Sequence, residues 1–259
     1  MLPDSVAAVD PDPELDLRAE GTREIWASFL LYFVGFLVVG SLAAALWLAI
    51  SGTPSGGTPD VPTTAASLVG AYGAILGGLA LVHGASRRSG GGDSKFRDHY
   101  RFRAGSASLL AAGVFVGVAS QIGIGILQTA LRHVDEAIQP SETSLDIATK
   151  AKGDGTVSVA VLFVAFAVLA PVVEELFFRG LFLGAIRKRF GSAVAIALSS
   201  IVFGLVHVNG FDKAGVFTGG ALALFGLALA LLVERYRVLG PAIAAHVAFN
   251  VFSLVLLFR

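Results

Sequence analysis

The stretch TVSVAVLFVAFAVLAPVVEELFFRGLFLGAI, residues 156–186, decides the fold of this chain. It is apolar almost throughout and is interrupted by three charged side chains, Glu174, Glu175 and Arg179. A helix crosses a hydrocarbon core of about 30 Å with roughly 20 apolar residues. The stretch is therefore long enough to span a bilayer, and its charges fall where a charge is costly and calls for a functional explanation.

Other apolar blocks of similar length lie on both sides of this stretch. Hydrophobic residues make up 55% of the 259 residues and charged residues only 15%, which is the membrane side of ordinary globular usage. The blocks do not alternate as barrel strands do, so they must be helical to satisfy their backbone groups in lipid. We predict an all-α polytopic transmembrane helix bundle over residues 25–259 with about seven spans, at 26–50, 64–83, 105–131, 156–186, 192–208, 214–233 and 240–258.

The distribution of Lys and Arg predicts the orientation of this bundle. With the N-terminus in the cytoplasm, thirteen Lys and Arg residues fall on the cytoplasmic side and five on the other. This bias agrees with the positive-inside rule. The first 24 residues are acidic and lack the basic start of a secretory signal, so we interpret residues 1–24 as a retained, disordered tail.

Composition excludes several classes of function. The formal net charge is zero, and no basic stripe with interleaved aromatic residues indicates a nucleic-acid partner. Cysteine is absent, which excludes disulfides, thiolate metal sites and a thiol nucleophile. The expected partner of the apolar spans is the lipid bilayer, with the cell membrane as the expected location.

Small residues recur at four-residue spacing in two of the predicted spans. Gly73 with Gly77 and Gly113 with Gly117 are examples. In membrane helices this spacing usually lets two backbones approach closely. We therefore interpret both pairs as helix-packing positions with no part in chemistry.

Polar residues inside the apolar spans form three clusters, all in the last 90 residues. Glu175 and Arg179 are four apart and share a helix face as an ion pair. Glu174 points about 100° away from Glu175 and can reach a different neighbour. The other clusters hold His207 and, again four apart, His246 with Asn250.

This set of side chains suits peptide hydrolysis if the three helices meet. A carboxylate can act as the base that takes a proton from water, and an imidazole or amide can donate hydrogen bonds to the oxyanion that develops. Alternatively, Glu174, His207 and His246 could hold a zinc ion that activates the water. The residues permit both versions, so no cofactor is assigned and zinc stays open.

The order Glu174-Glu175-x-x-x-Arg179, Phe203-x-x-x-His207 and His246-x-x-x-Asn250 resembles the three motifs of the CPBP family. This family, also called ABI, consists of intramembrane proteases and includes the Rce1-like type II CAAX prenyl endopeptidases. The resemblance covers about residues 156–258, and no motif position departs from the pattern.

The resemblance implies a role for each motif residue in hydrolysis of a membrane-associated, CAAX-type substrate. Glu174 matches the general base, with Glu175 and Arg179 as its supporting pair. His207 matches a histidine that positions water or binds metal, and His246 with Asn250 match the residues that hold the oxyanion or complete the site. The family's name and its proposed mechanisms disagree about metal.

Other kinds of intramembrane protease fit the sequence less well. A Ser–His dyad could use Ser199 or Ser200 with His246, but it gives the other motif residues no role. The sequence contains no His-Glu-x-x-His string, and no two aspartates lie within spans. A non-catalytic membrane partner, such as a self-immunity protein, and a transporter remain the candidates from other classes.

Straight helices would not bring the two histidines to the same depth. His207 lies about 22 Å from the start of its predicted span, and His246 lies about 9 Å from the start of the last predicted span. The two spans start on the same side of the membrane. A shared site therefore requires bends or tilts, for which Pro171 and the glycine-rich segment 215–220 are the candidates, or span boundaries that differ from those given above.

Overall fold

The chain folds into a bundle of helices. The computed structural model describes residues 13–52, 60–88, 95–138, 142–208, 210 and 212–259, and the described residues contain no strand. The helices are α1, which runs through Pro13–Tyr32, Phe33–Gly40 and Ser41–Ser51, then α2 (Val61–Arg88), α3 (Ala107–Arg132), α4 (Glu142–Asp154), α5 (Thr156–Phe190), α6 (Ser192–Leu205), α7 (Lys213–Tyr236) and α8 (Gly240–Leu257), with a single turn at Phe96–His99 between α2 and α3.

Six of these helices are long and apolar enough to cross a membrane, and α6 is a shorter apolar helix. The fold class and about seven membrane segments are thus confirmed. Large apolar side chains such as Trp26, Phe33 and Phe115 are exposed on the outside of the bundle. Lipid solvates such a surface, so the bundle needs no soluble-type shell.

The first helix begins earlier than the sequence analysis predicted. Residues 13–24 were assigned to the disordered tail, but α1 starts at Pro13. Proline suits the first turn of a helix because its missing N–H is not needed there. Glu24 is buried and forms an ion pair with Lys188 at 3.0 Å, which ties this end of α1 to α5. Residues 1–12 lie outside the described residues.

Glycines set how closely α3 approaches α8. A side chain on Gly113 would collide with the carbonyl of Pro241, and one on Gly117 with the carbonyl of Ala245. The packing interpretation of this pair is confirmed. It is wrong for Gly73 and Gly77, where a Cβ would meet open space; in α2 the close approaches are at Gly70 and Gly78.

The last helix begins inside the protein. Leu239 is fully buried, and its N–H donates to the carbonyl of Arg101 at 3.0 Å, while the N–H of Gly240 donates to the carbonyl of Arg103 at 2.9 Å. The loop before α3 therefore covers the start of α8. His207 and His246 still meet, because each Nε2 lies 3.8 Å from the same carboxylate oxygen, Glu174 Oε2.

The orientation of the bundle stays a prediction. Because the chain has no cysteine, single cysteines can be introduced into loop 84–104 and into segment 132–155 and treated in intact cells with an impermeant thiol reagent. We expect labelling of the 132–155 cysteine alone. Labelling of only the 84–104 cysteine would reverse the topology.

Candidate active site

Two π-helical segments of α5 flank the acidic pair. They are Phe163–Leu169 and Leu176–Phe182, and the α-helical turn Ala170–Glu175 lies between them. Such wide turns are rare and occur most often at functional sites. Since they change the rotation between successive residues, the side chains of α5 near Pro171 leave the regular helical pattern.

Glu175 and Arg179 form the ion pair that their spacing predicted. Arg179 Nη1 donates to Glu175 Oε1 at 3.0 Å, and neither side chain is accessible to solvent. Arg179 Nη2 donates to the carbonyl of Gly226 at 3.0 Å, and the guanidinium lies 4.4 Å from the ring centre of Phe203. The pair thus connects α5 with α6 and α7.

Glu174 faces away from this pair, toward both motif histidines. Its Oε2 lies 3.8 Å from Nε2 of His207 and 3.8 Å from Nε2 of His246. Its side chain is 11% exposed, that of His246 is 5% exposed and that of His207 is 31% exposed. The structure therefore brings residues from three helices together, and His207 is the most open of them.

Hydrogen bonds fix which nitrogen of each histidine faces Glu174. His207 Nδ1 lies 2.7 Å from the carbonyl of Phe203, and His246 Nδ1 lies 3.0 Å from Glu175 Oε1. A carbonyl or carboxylate oxygen can only accept, so each Nδ1 carries the proton. Each Nε2 is then turned toward Glu174 Oε2.

Asn250 lies one helical turn beyond His246, and its side chain bonds to the backbone of α5. Its Nδ2 donates to the carbonyl of Phe166 at 2.7 Å. In this part of α5 the N–H of Ala170 bonds to the carbonyl of Ala165, five residues back. The corresponding donor to the carbonyl of Phe166 would be the N–H of residue 171, which is a proline and has none. The amide of Asn250 supplies the missing donor, which is a structural task that the sequence analysis did not foresee.

A further side chain in contact with Glu174 comes from α2. Tyr72 is 3% exposed, and its hydroxyl donates to Glu174 Oε1 at 2.9 Å. Sequence reasoning missed it. The signal was a lone tyrosine in the middle of a span, whereas tyrosine in membrane helices usually lies at the interfaces.

The serines of the alternative dyad have other partners. The Ser199 hydroxyl bonds to the carbonyl of Phe178 at 3.3 Å, and the Ser200 hydroxyl bonds to that of Ile196 at 2.7 Å. Both bonds are to backbone oxygens in the bundle, and neither hydroxyl is paired with His246 in the structure. The geometry gives no support to a serine nucleophile.

The three candidate zinc ligands lie farther apart here than the ligands around a bound zinc ion do. Ligand atoms around a tetrahedral zinc at 2.0–2.1 Å lie about 3.3 Å apart, and Glu174 Oε2 is 3.8 Å from each imidazole. Within the described part of the chain, no group of three or more His, Asp or Glu side chains is arranged to hold a metal ion.

Part of the chain that contains this site is similar to known proteins. Residues 156–252 match the family model described as type II CAAX prenyl endopeptidase Rce1-like. The chain is also 23% identical over 145 residues to a Bacillus subtilis (strain 168) protein named "Putative membrane peptidase YdiL". That alignment covers 56% of this chain and 54% of the relative, so the chain matches about half the length of that protein. No solved structure matches.

Proposed function

We propose that this chain, whose residues 156–252 match the Rce1-like type II CAAX prenyl endopeptidase family model, is an intramembrane endopeptidase. The observation that carries the proposal is the position of Glu174 Oε2 between the Nε2 atoms of His207 and His246. The peptidase name of the Bacillus subtilis relative supports it. We place the protein in the cell membrane.

Glu174 is the proposed general base. A separation of 3.8 Å is too long for a direct hydrogen bond. One water lying beside the line that joins the two atoms could bond both the carboxylate and an imidazole. The water donates one proton to Glu174 Oε2 and its other O–H to Nε2 of His207. The resulting hydroxide adds to the carbonyl carbon of the substrate, and the proton on Glu174 then passes to the amine as the C–N bond breaks.

His246 is the proposed donor to the oxyanion. It lies between Glu175 at 3.0 Å and Glu174 at 3.8 Å, and Arg179 pairs with Glu175 at 3.0 Å. With Nδ1 bonded to Glu175, Nε2 is the ring nitrogen left to face the oxyanion, to which a ring N–H can donate. Asn250 is the proposed second donor to the oxyanion, through the amide N–H that does not bond Phe166. It would then have both a structural and a catalytic role.

An apolar cavity lined by residues of α1, α5 and α6 supports a lipid-modified or strongly apolar substrate. The cavity has a volume of about 370 Å³, and its lining includes Tyr32, Phe177 and Val206. Val206 directly precedes His207 in the chain. A prenyl chain or a large apolar side chain could occupy this space while the peptide bond lies at Glu174.

The function is tested by cleavage assays on the full chain in lipid vesicles. The substrates are a farnesylated CAAX-type peptide, the same peptide without the lipid, and an apolar transmembrane peptide, with fragments identified by mass spectrometry. We expect cleavage of at least one membrane-bound substrate and more rapid cleavage of the farnesylated peptide than of its unmodified form. A folded protein that cleaves none of them would favour the non-catalytic partner.

Metal dependence is a separate prediction. Because the donor atoms do not have zinc spacing and Asn is a poor zinc ligand beside carboxylate and imidazole, we expect full activity after treatment with a strong chelator. Elemental analysis of the active protein should then show less than stoichiometric zinc. Reversible loss of activity with removal and return of zinc would overturn the metal-free mechanism.

A further inference from the structure

We infer that Tyr72 is a positioning residue, which determines the oxygen of Glu174 that acts as the base. The inference rests on the proposed function. Tyr72 belongs to α2 and lies outside the segment 156–252 that matches the family model. If the inference holds, the N-terminal half of the chain contributes to the reaction as well as to the fold.

The hydroxyl of Tyr72 has a defined task at Glu174. A carboxylate has two equivalent oxygens on a side chain with several rotatable bonds, so an unrestrained Glu174 could present either oxygen to the water. Tyr72 donates to Oε1 at 2.9 Å, and Oε2 is the oxygen that lies 3.8 Å from both imidazole nitrogens. The hydrogen bond thus removes the equivalence of the two oxygens.

The ring of Tyr72 is itself held in place. Phe36 packs against it edge-on, with ring centres 5.5 Å apart, and Tyr32 stacks on Phe36 at 4.9 Å. The phenol is 3% exposed, so few other positions are open to it. A base must be held in the productive geometry by groups that are themselves fixed, and a small misplacement can cost up to about 100-fold in rate.

A purely structural role would also explain a buried hydroxyl with a partner, and Tyr100 provides the matched control. Tyr100 is 1% exposed, and its hydroxyl donates to the carbonyl of Leu79 in α2 at 2.8 Å. Tyr72→Phe and Tyr100→Phe therefore each remove one buried tyrosine hydrogen bond anchored on the same helix. They differ in whether that bond ends on Glu174.

The kinetic test compares the two variants as full-length protein in vesicles. For Tyr72→Phe we expect kcat to fall by about 10- to 100-fold with KM within about twofold of the wild type. For Tyr100→Phe we expect a similar loss of thermal stability and an unchanged kcat. Equal kcat values for the two variants would overturn the positioning role.

A spectroscopic test does not depend on activity. The ¹³C signal of the Glu174 carboxyl can be assigned in solid-state NMR by its loss in Glu174→Gln. We expect this signal to shift in Tyr72→Phe and to stay in place in Tyr100→Phe. An unshifted signal in Tyr72→Phe would overturn the inference. The expected shift in Tyr72→Phe, together with a folded wild type that cleaves nothing, would refute the proposed function alone.

Discussion

Glu174→Gln is expected to abolish proteolysis while the protein still folds. The amide keeps the shape of the side chain and can still accept a hydrogen bond from Tyr72, but it cannot take a proton from water. General-base catalysis contributes roughly 10²–10⁴-fold to a rate, so kcat should fall by about that factor. The measurement is fragment release from a membrane-bound substrate, with thermal unfolding in the same lipid to report on the fold.

Asp135→Asn is the control for Glu174→Gln. Asp135 is a carboxylate in the loop after α3 that pairs with Lys213 at the surface, so the same change of acid to amide occurs away from the site. Its activity should match the wild type. Near-wild-type cleavage by Glu174→Gln would show that the base assignment is wrong.

Arg179→Met is expected to cause a large loss of stability. The change leaves the carboxylate of Glu175 buried with no arginine, and it also removes the donor to the carbonyl of Gly226. Breaking a buried ion pair from one side costs about 3–5 kcal/mol. The free energy of unfolding in mixed lipid–detergent micelles is the quantity to measure.

Two further variants make this prediction specific. The double variant Glu175→Gln/Arg179→Met removes both charges, and the glutamine oxygen can still accept from His246 Nδ1, so it should be more stable than Arg179→Met. Arg189→Met removes an exposed arginine of the same helix and should cost within about 0.5 kcal/mol. If the double variant is no more stable than Arg179→Met, the carboxylate left without its partner is not the cause.

Conversely, a loss in Arg189→Met as large as that in Arg179→Met would mean that total charge, and not the buried pair, stabilises the bundle.

The buried pair is joined to the site by a hydrogen bond, because Glu175 Oε1 accepts from both Arg179 and His246. Its loss should therefore lower activity as well as stability. Glu175→Gln alone should lower activity less than Glu174→Gln does, because Glu175 does not face the reacting water.

The sequence by itself determined the helical spans and the local geometry of each motif. A helix that rises 1.5 Å and turns 100° per residue places Glu175 under Arg179 and turns Glu174 away from both. Those relations are local, and the structure has them: the ion pair measures 3.0 Å, and Glu174 faces other helices. The length of an apolar block likewise needs no knowledge of its neighbours.

Only the tertiary structure decided how the motifs meet. The loop before α3 covers the start of α8. His207 and His246 both come within 3.8 Å of Glu174, and no spacing within α8 encodes that meeting. The partner of Asn250 is a carbonyl 84 residues away in the sequence, and Tyr72 bonds to Glu174 across 102 residues. Periodicity along one helix fixes which way a side chain points, whereas contacts between helices depend on packing and burial that involve distant parts of the chain.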